Sequence, residues 1–269
     1  MSIATNAPSG ALPLIPVART GRLAGMRNLL RKELSQWWRT RLWWIQVLVW
    51  VALLNGVTTV VMVTEPTVAA DDLAREVTRT FLQMGAMALG LGVVLTVQGA
   101  IVGEKELGTA AWVMSKPASR TAFVIAKLIA HAVGFVVTGI AVPVAIFTAE
   151  VSILLSRAPS PAQLLGALGV VALAVVFYVA LTLALGALFD GRGPVAGIGV
   201  GVLLAGVFLK DLLPAPIVLV MPWLLGDVAG AIALAGPLDS TWAVPVAATT
   251  VATVGLTVVA AWRFGRAEL

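Results

Sequence analysis

Thirteen carboxylates, one histidine and no cysteine bound the chemistry open to this chain. Disulfides, thiolate metal sites and cysteine nucleophiles are absent, and His131 alone cannot serve a site that needs two imidazoles. Asp71, Asp72, Glu150 and Asp227 are the carboxylates that a membrane enzyme acting on a lipid would draw on, yet no two of them stand at a recognisable catalytic spacing. The Gly-x-x-x-x-Gly-Lys-Ser/Thr loop that cradles nucleotide phosphates does not occur, nor do Gly-x-Ser-x-Gly or His-Glu-x-x-His. What remains informative is where the few charges fall, and that depends on the elements carrying them.

Of the 269 residues 59% are apolar and 12% charged, with a mean hydropathy of +0.99. Soluble domains run to roughly 45–50% apolar and about 25% charged. A water-soluble globule of this length has too few charges here to clothe its surface, and a disordered chain has too many apolar residues. The composition therefore predicts an all-α polytopic membrane protein. Crossing a layer ~30 Å thick takes about 20 apolar residues. Charge-free windows place six spans at about 42–64, 80–103, 122–149, 163–189, 193–211 and 242–262. Residues 1–22 read as a flexible cytoplasmic lead without signal-peptide character, and 23–269 as a single transmembrane domain. The stretch 214–238 is apolar but broken by Pro214, Pro216, Pro222 and Pro237 and divided by Asp227. It reads as short re-entrant helices that enter and leave by one side.

Six crossings put both termini on one side. Only Arg75, Arg79, Arg157 and Lys210, four of the 18 basic residues, then face the other side, and the remaining 14 mark the cytoplasm. The expected location is the inner (plasma) membrane, multi-pass, with cytoplasmic N- and C-termini. The formal charge of +5 thus reads as a record of orientation, and no nucleic-acid partner is implied.

Two segments are not simply lipid-facing. Along the stretch 24–39 and from the Leu23 just before it, Leu23, Met26, Leu30, Leu34 and Trp37 recur at helical spacing, with Arg27, Arg31, Lys32 and Arg39 on the other side. Trp37, Trp38, Trp43 and Trp44 sit where this amphipathic helix meets the first span. Such a helix anchors to anionic lipid, or docks a protein from below, or both. The loop 104–120 is longer than a connector needs. It carries charges on both flanks around an apolar middle of Leu107, Ala111, Trp112 and Met114, either as a solvated turn or as a surface for a cytoplasmic partner. A short helix over Leu107–Ser115, a proline turn and a cap by Ser119 on the third span are predicted.

The order Arg31-Lys32-Glu33-Leu34, then Ala100-Ile101-Val102-Gly103-Glu104-Lys105-Glu106-Leu107-Gly108-Thr109, then Pro117-Ala118-Ser119-Arg120 and Lys127, resembles the membrane subunits of ATP-binding cassette exporters of the ABC-2 type. The C-terminal Trp262-Arg263-Phe264-Gly265-Arg266 resembles that family's ending. The resemblance implies a non-catalytic permease subunit with no directly bound cofactor. Its partners are the lipid bilayer, a cytosolic ATPase that holds ATP and Mg, and a second permease copy or paralogue. It makes 24–39 the elbow helix, with Arg27, Arg31, Lys32, Glu33 and Trp37. It assigns ATPase coupling to Glu104, Lys105, Glu106, Leu107, Gly108, Thr109 and Trp112. Glu104 is then expected to pair with a basic group of the elbow helix, Arg31 or Lys32.

Gly193, Gly197 and Gly201 recur every fourth residue on the fifth span, and Gly99 with Gly103 on the second. Small residues at this spacing let helices approach closely, within one chain or across a dimer seam. As in the family, Gln83, Met87, Gln98 and Phe208 are candidates to line the seam or the pathway. Lys127 and His131 are expected to snorkel to headgroups or dock on the adjoining loop. Pro143 is expected to kink the third span. An ion-driven carrier would want charges in mid-span, and the windows hold none.

Overall fold

Where no water is present to satisfy backbone groups, a long apolar segment satisfies them within itself and becomes a helix. The computed structural model describes residues 21, 23–65, 67–109, 118–236 and 240–266, and every regular element among them is helical. Helix α1 spans Met26–Arg39, α2 Leu42–Thr64, α3 Ala70–Glu106, α4 Arg120–Leu155, α5 Pro161–Leu188, α6 Arg192–Phe208, α7 Ala215–Leu219, α8 Leu225–Ala233 and α9 Ala243–Arg266. A 3-10 turn, Pro222–Leu224, leads into α8.

Among the described residues five helices, α2, α3, α4, α5 and α9, are long and apolar enough to cross a membrane. They coincide with five of the six predicted windows, and the remaining window, the fifth, gives a shorter apolar helix. The fifth window forms a helix of 17 residues that stops at Phe208 rather than reaching residue 211. Leu209–Leu213 is held instead in tight backbone turns just ahead of Pro214. Two other helices overrun their windows. α3 begins at Ala70, ten residues before the predicted span, with Asp71 and Asp72 in its first turn, where the helix dipole favours them. Its extra turns bury Leu73 and Val77, so packing, not membrane depth, sets its length. Residues 70–79 are therefore helical. α4 continues past residue 149 to Leu155, taking in Glu150. The proline-rich stretch read as re-entrant forms, among its described residues, the short helices α7 and α8.

α5 is apolar on all sides and occupies the centre, with α3, α4, α6, α8 and α9 packed around it. α2 lies at the edge, against α3 and α4. α1 packs along the start of α4. Pro143 has no N–H to continue the ladder, and the kink expected there takes the form of a π turn, Val136–Ala141, just before it. A second π turn, Val51–Asn55, interrupts α2. Asn55 at its end donates to the Pro143 carbonyl at 3.0 Å.

Candidate functional site

At one end of the bundle the charged residues of α1, α3, α4 and the α5–α6 turn converge. Ser119 begins α4 by accepting a hydrogen bond from the Ala122 N–H at 3.0 Å, and its own N–H donates to the Ala24 carbonyl at 2.9 Å. That bond sets α1 against the first turns of α4. Trp37 then lies flat on Gly134, where a Cβ would come within 2.2 Å of the indole. Phe135 flanks the indole at 5.4 Å between centroids, and His131 meets it edge-on at 5.5 Å.

With α1 seated in this way, the buried stripe of the helix is Leu29, Glu33 and Trp37, while Leu23 is left 54% exposed. The apolar face thus turns toward Glu33, a residue that hydropathy alone keeps out of a core. Lys127 compensates it: its Nζ donates to both Glu33 oxygens, at 3.1 and 3.2 Å, and to Glu104 Oε1 at 2.8 Å. Lys32 completes the cluster, donating to the same Glu104 oxygen at 3.1 Å. Lys127 is 3% exposed, so of the two expectations it does not snorkel but docks on the base of the adjoining loop, between Glu33 and Glu104. His131 does not snorkel either, because its ring is committed to Trp37. Of the two basic residues open to Glu104, Lys32 is the one in contact, and Arg31 is exposed, as is Arg27. Burial by itself lowers the Lys32 pKa, but the hydrogen bond and charge of Glu104 outweigh it and hold the ammonium above its ordinary value.

The next two residues reach the opposite way. Lys105 donates to Asp190 at 3.1 Å and to the Phe189 carbonyl at 3.3 Å, and Glu106 accepts from Arg192 at 3.1 Å. The Arg192 guanidinium lies over Gly99 and Gly103, where a Cβ would stand 3.5 and 3.0 Å from it. That corrects the reading of these glycines as a seat for another helix backbone: the pair makes room for an arginine side chain. Arg120, at the start of α4, donates to the Phe264 and Gly265 carbonyls of α9 at 3.3 and 2.6 Å. Three consecutive charges, with the two that follow the loop, therefore tie the loop's bases to α1, α4, the α5–α6 turn and α9.

Between those bases, α3 ends in a turn at Leu107–Gly108, where Gly108 has φ +66°, and the Thr109 hydroxyl donates to the Glu104 carbonyl at 3.3 Å. Leu107 is 76% exposed. Residues 110–117, with Trp112 and the body of the predicted Leu107–Ser115 helix, lie outside the described residues.

The other candidates separate into two places. Gly193, Gly197, Gly201 and Phe208 share an exposed face of α6, and no atom lies within 4 Å of a Cβ placed at any of the three glycines. Beside them, Met87, Leu91 and Leu95 are exposed on α3. Gln83 is not part of that face. It donates to Asp227 of α8, and with Met87 it lines a cavity at the far end of the bundle, while Gln98 bonds locally to the Leu95 carbonyl. Sequence reasoning did not find the Glu33–Lys127 pair, the Arg192 seat or the Arg120 contact. The signal for the first was an acid spaced four residues from Leu29 and from Trp37 on one helical face. Among the described residues no group of acidic or histidine side chains is placed to hold a metal ion.

A family model described as ABC-2 family transporter protein matches residues 27–222, which include α1 from its second residue, the charge cluster, the 104–120 loop and α6. No curated protein matches the chain.

Proposed function

The chain belongs to the ABC-2 family of transporter proteins, and we propose on that premise that it is the permease half of an ATP-driven exporter, worked by a separate cytosolic ATPase. Membership makes it a membrane transport component. The observation that carries the finer reading is the buried Glu33–Lys127–Glu104–Lys32 cluster, which clamps the N-terminal amphipathic helix to both bases of the 104–120 loop. A push on that loop is transmitted to α1, α3 and α4 together. Lys105, Glu106 and Arg120 extend the same push to the α5–α6 turn and α9.

In this reading α1 is the elbow helix, the loop carries the coupling helix, and Leu107, an exposed apolar residue beside three charges, is part of the surface the ATPase grips. ATP and Mg bind on that partner. α6 supplies the sixth crossing: at ~1.5 Å per residue its 17 residues span only about 25 Å, but Arg192 at one tip joins Glu106 and Lys210 just past the other joins Asp227. The positive-inside bias then puts the charge cluster in the cytoplasm and α7–α8 outside. The open glycine face of α6, with α3 beside it, is where a second permease packs. Nucleotide on the ATPase biases two packings of the helices, inward-open and outward-open.

Co-expression with a cytosolic ABC ATPase from the same source tests the reading. The purified chain is expected to hydrolyse no ATP, to co-purify with the ATPase, and to lose it on Leu107→Asp. ATP hydrolysis by the chain alone, or co-purification indifferent to Leu107 and its loop, would overturn it.

A further inference from the structure

Opposite the charge cluster, α3, α5, α6 and the broken helices enclose a cavity of about 330 Å3, within the ~300–1,000 Å3 of small-molecule sites. Its deep side is apolar, with Met84, Tyr178 and Leu203. Trp223 closes one wall, fixed by its indole N–H donating to the Val202 carbonyl at 2.9 Å and by its ring lying on Gly206, where a Cβ would come within 2.4 Å. The polar groups gather at the shallow side. Lys210 Nζ stands 3.8 Å from Asp227 Oδ2, with these side chains 36% and 28% exposed, and Gln83 donates to the other Asp227 oxygen. A second cavity, lined by Arg79 and Trp242, shares Gln83 and Asp227, so that their hydrogen bond stands between the two.

We propose that this cavity binds a zwitterionic amphiphile, its ammonium on Asp227, its phosphate on Lys210 and its apolar chain against Tyr178, Leu203 and Trp223. At 3.8 Å the Lys210–Asp227 pair lies at the outer edge of ion-pair contact, and both members are reachable. A ligand carrying one charge would take one member and leave the other, about two-thirds buried, without its ionic partner, which is costly. A zwitterion replaces the pair ion for ion. The apolar depth supplies a reason for a tail, since the head alone gains nothing from Tyr178 and Leu203. The inference rests on the transport reading in that it names the substrate class such a permease would carry. Binding is measured on the permease chain without the ATPase, so either reading can fail without the other.

The experiment uses the full chain in a nonionic maltoside detergent, with phosphatidylethanolamine carrying brominated acyl chains as a quencher of tryptophan fluorescence. A saturable component of quenching is expected above the linear background from the exposed Trp38, Trp43, Trp44 and Trp262, and that saturable component should be lost in Trp223→Phe. Asp227→Asn and Lys210→Gln should each weaken binding by about tenfold or more, and the swap Lys210→Asp/Asp227→Lys should recover it to within a few-fold. Lys210→Gln alters a half-exposed side chain and serves independently if Asp227→Asn, which also weakens the hydrogen bond from Gln83, unfolds the chain. A phosphatidylglycerol or an alkylamine with the same brominated chains should bind about tenfold more weakly, and free phosphoethanolamine should not compete. Equal binding of all three head groups, or undiminished binding in both single variants, would overturn the proposal.

Discussion

Lys127 lies inside the protein because two carboxylates meet it there, and the energetics of that arrangement are asymmetric. Removing one partner of a buried pair strands the other, at a cost of about 3–5 kcal/mol, whereas removing both together costs far less. Lys127→Met is therefore expected to lower the unfolding midpoint in detergent sharply, and Glu33→Gln/Lys127→Met to restore a large part of the loss. Additive losses in the double variant would contradict the pairing. Lys32, 37% exposed, contributes less, about 0.5–1 kcal/mol. Its pKa is raised on folding, so its contribution is complete below its ordinary value of 10.5 and fades as pH rises through the higher folded value. Thermal stability measured from pH 6 to 9 should accordingly show no Lys32-dependent slope, and a difference between wild type and Lys32→Ala that shrinks within that window would contradict the account. At the far end, Asp71 accepts from Arg157, and this hydrogen bond raises the arginine's pKa.

At the scale of elements, the docking of α1 depends on one residue having no side chain. Any Cβ at Gly134 meets the Trp37 indole, so Gly134→Val must lift α1 off α4. A loss of about 1–3 kcal/mol is expected, with hydrogen exchange in 26–39 accelerated well beyond that in α5; exchange unchanged in α1 would show that Trp37 does not hold it. The helices themselves were legible in the sequence because lipid allows few alternatives to an uninterrupted apolar run. Their ends were less so. A charge-free window stops at the first ionisable residue, whereas α3 runs on through Arg79, Arg75 and Asp71 on the strength of Leu73 and Val77 facing inward. The pairing of Glu104 could be narrowed to two candidates by resemblance. The Glu33–Lys127 contact could not, since 94 residues separate its partners and only the packing of α1 on α4 brings them together. Arg192 escaped for the same reason, hidden behind two glycines whose spacing suggested a helix instead.

For the whole molecule, the outward face of α6 is the part with no explanation within the chain. A Cβ at Gly193, Gly197 or Gly201 would enter open space, whereas on the same helix one at Gly199 or Gly206 would meet Val94 or Trp223. Gly201→Leu is thus expected to leave protomer stability within about 0.5 kcal/mol while shifting the detergent-solubilised complex from dimer to monomer by light scattering. A lower unfolding midpoint with the dimer retained would assign the stripe to protomer packing. The charge total acquires the same molecular sense. The basic residues are concentrated at the end where α1, the 104–120 loop and the α9 terminus are tied together, and a partner pressing there reaches every crossing helix that is anchored to the cluster.

The absence of cysteine allows the central claim to be measured directly, because an introduced cysteine is the single labelling site in each protomer. With spin labels at Phe208→Cys in the permease dimer bound to its ATPase, pulsed electron resonance reports the separation of the two α6 tips. The account predicts that ATP with vanadate shifts the distance distribution relative to the nucleotide-free complex, and that Lys127→Met, still dimeric and still bound to ATPase, abolishes the shift. Identical distributions with and without nucleotide, or a full shift in Lys127→Met, would contradict it.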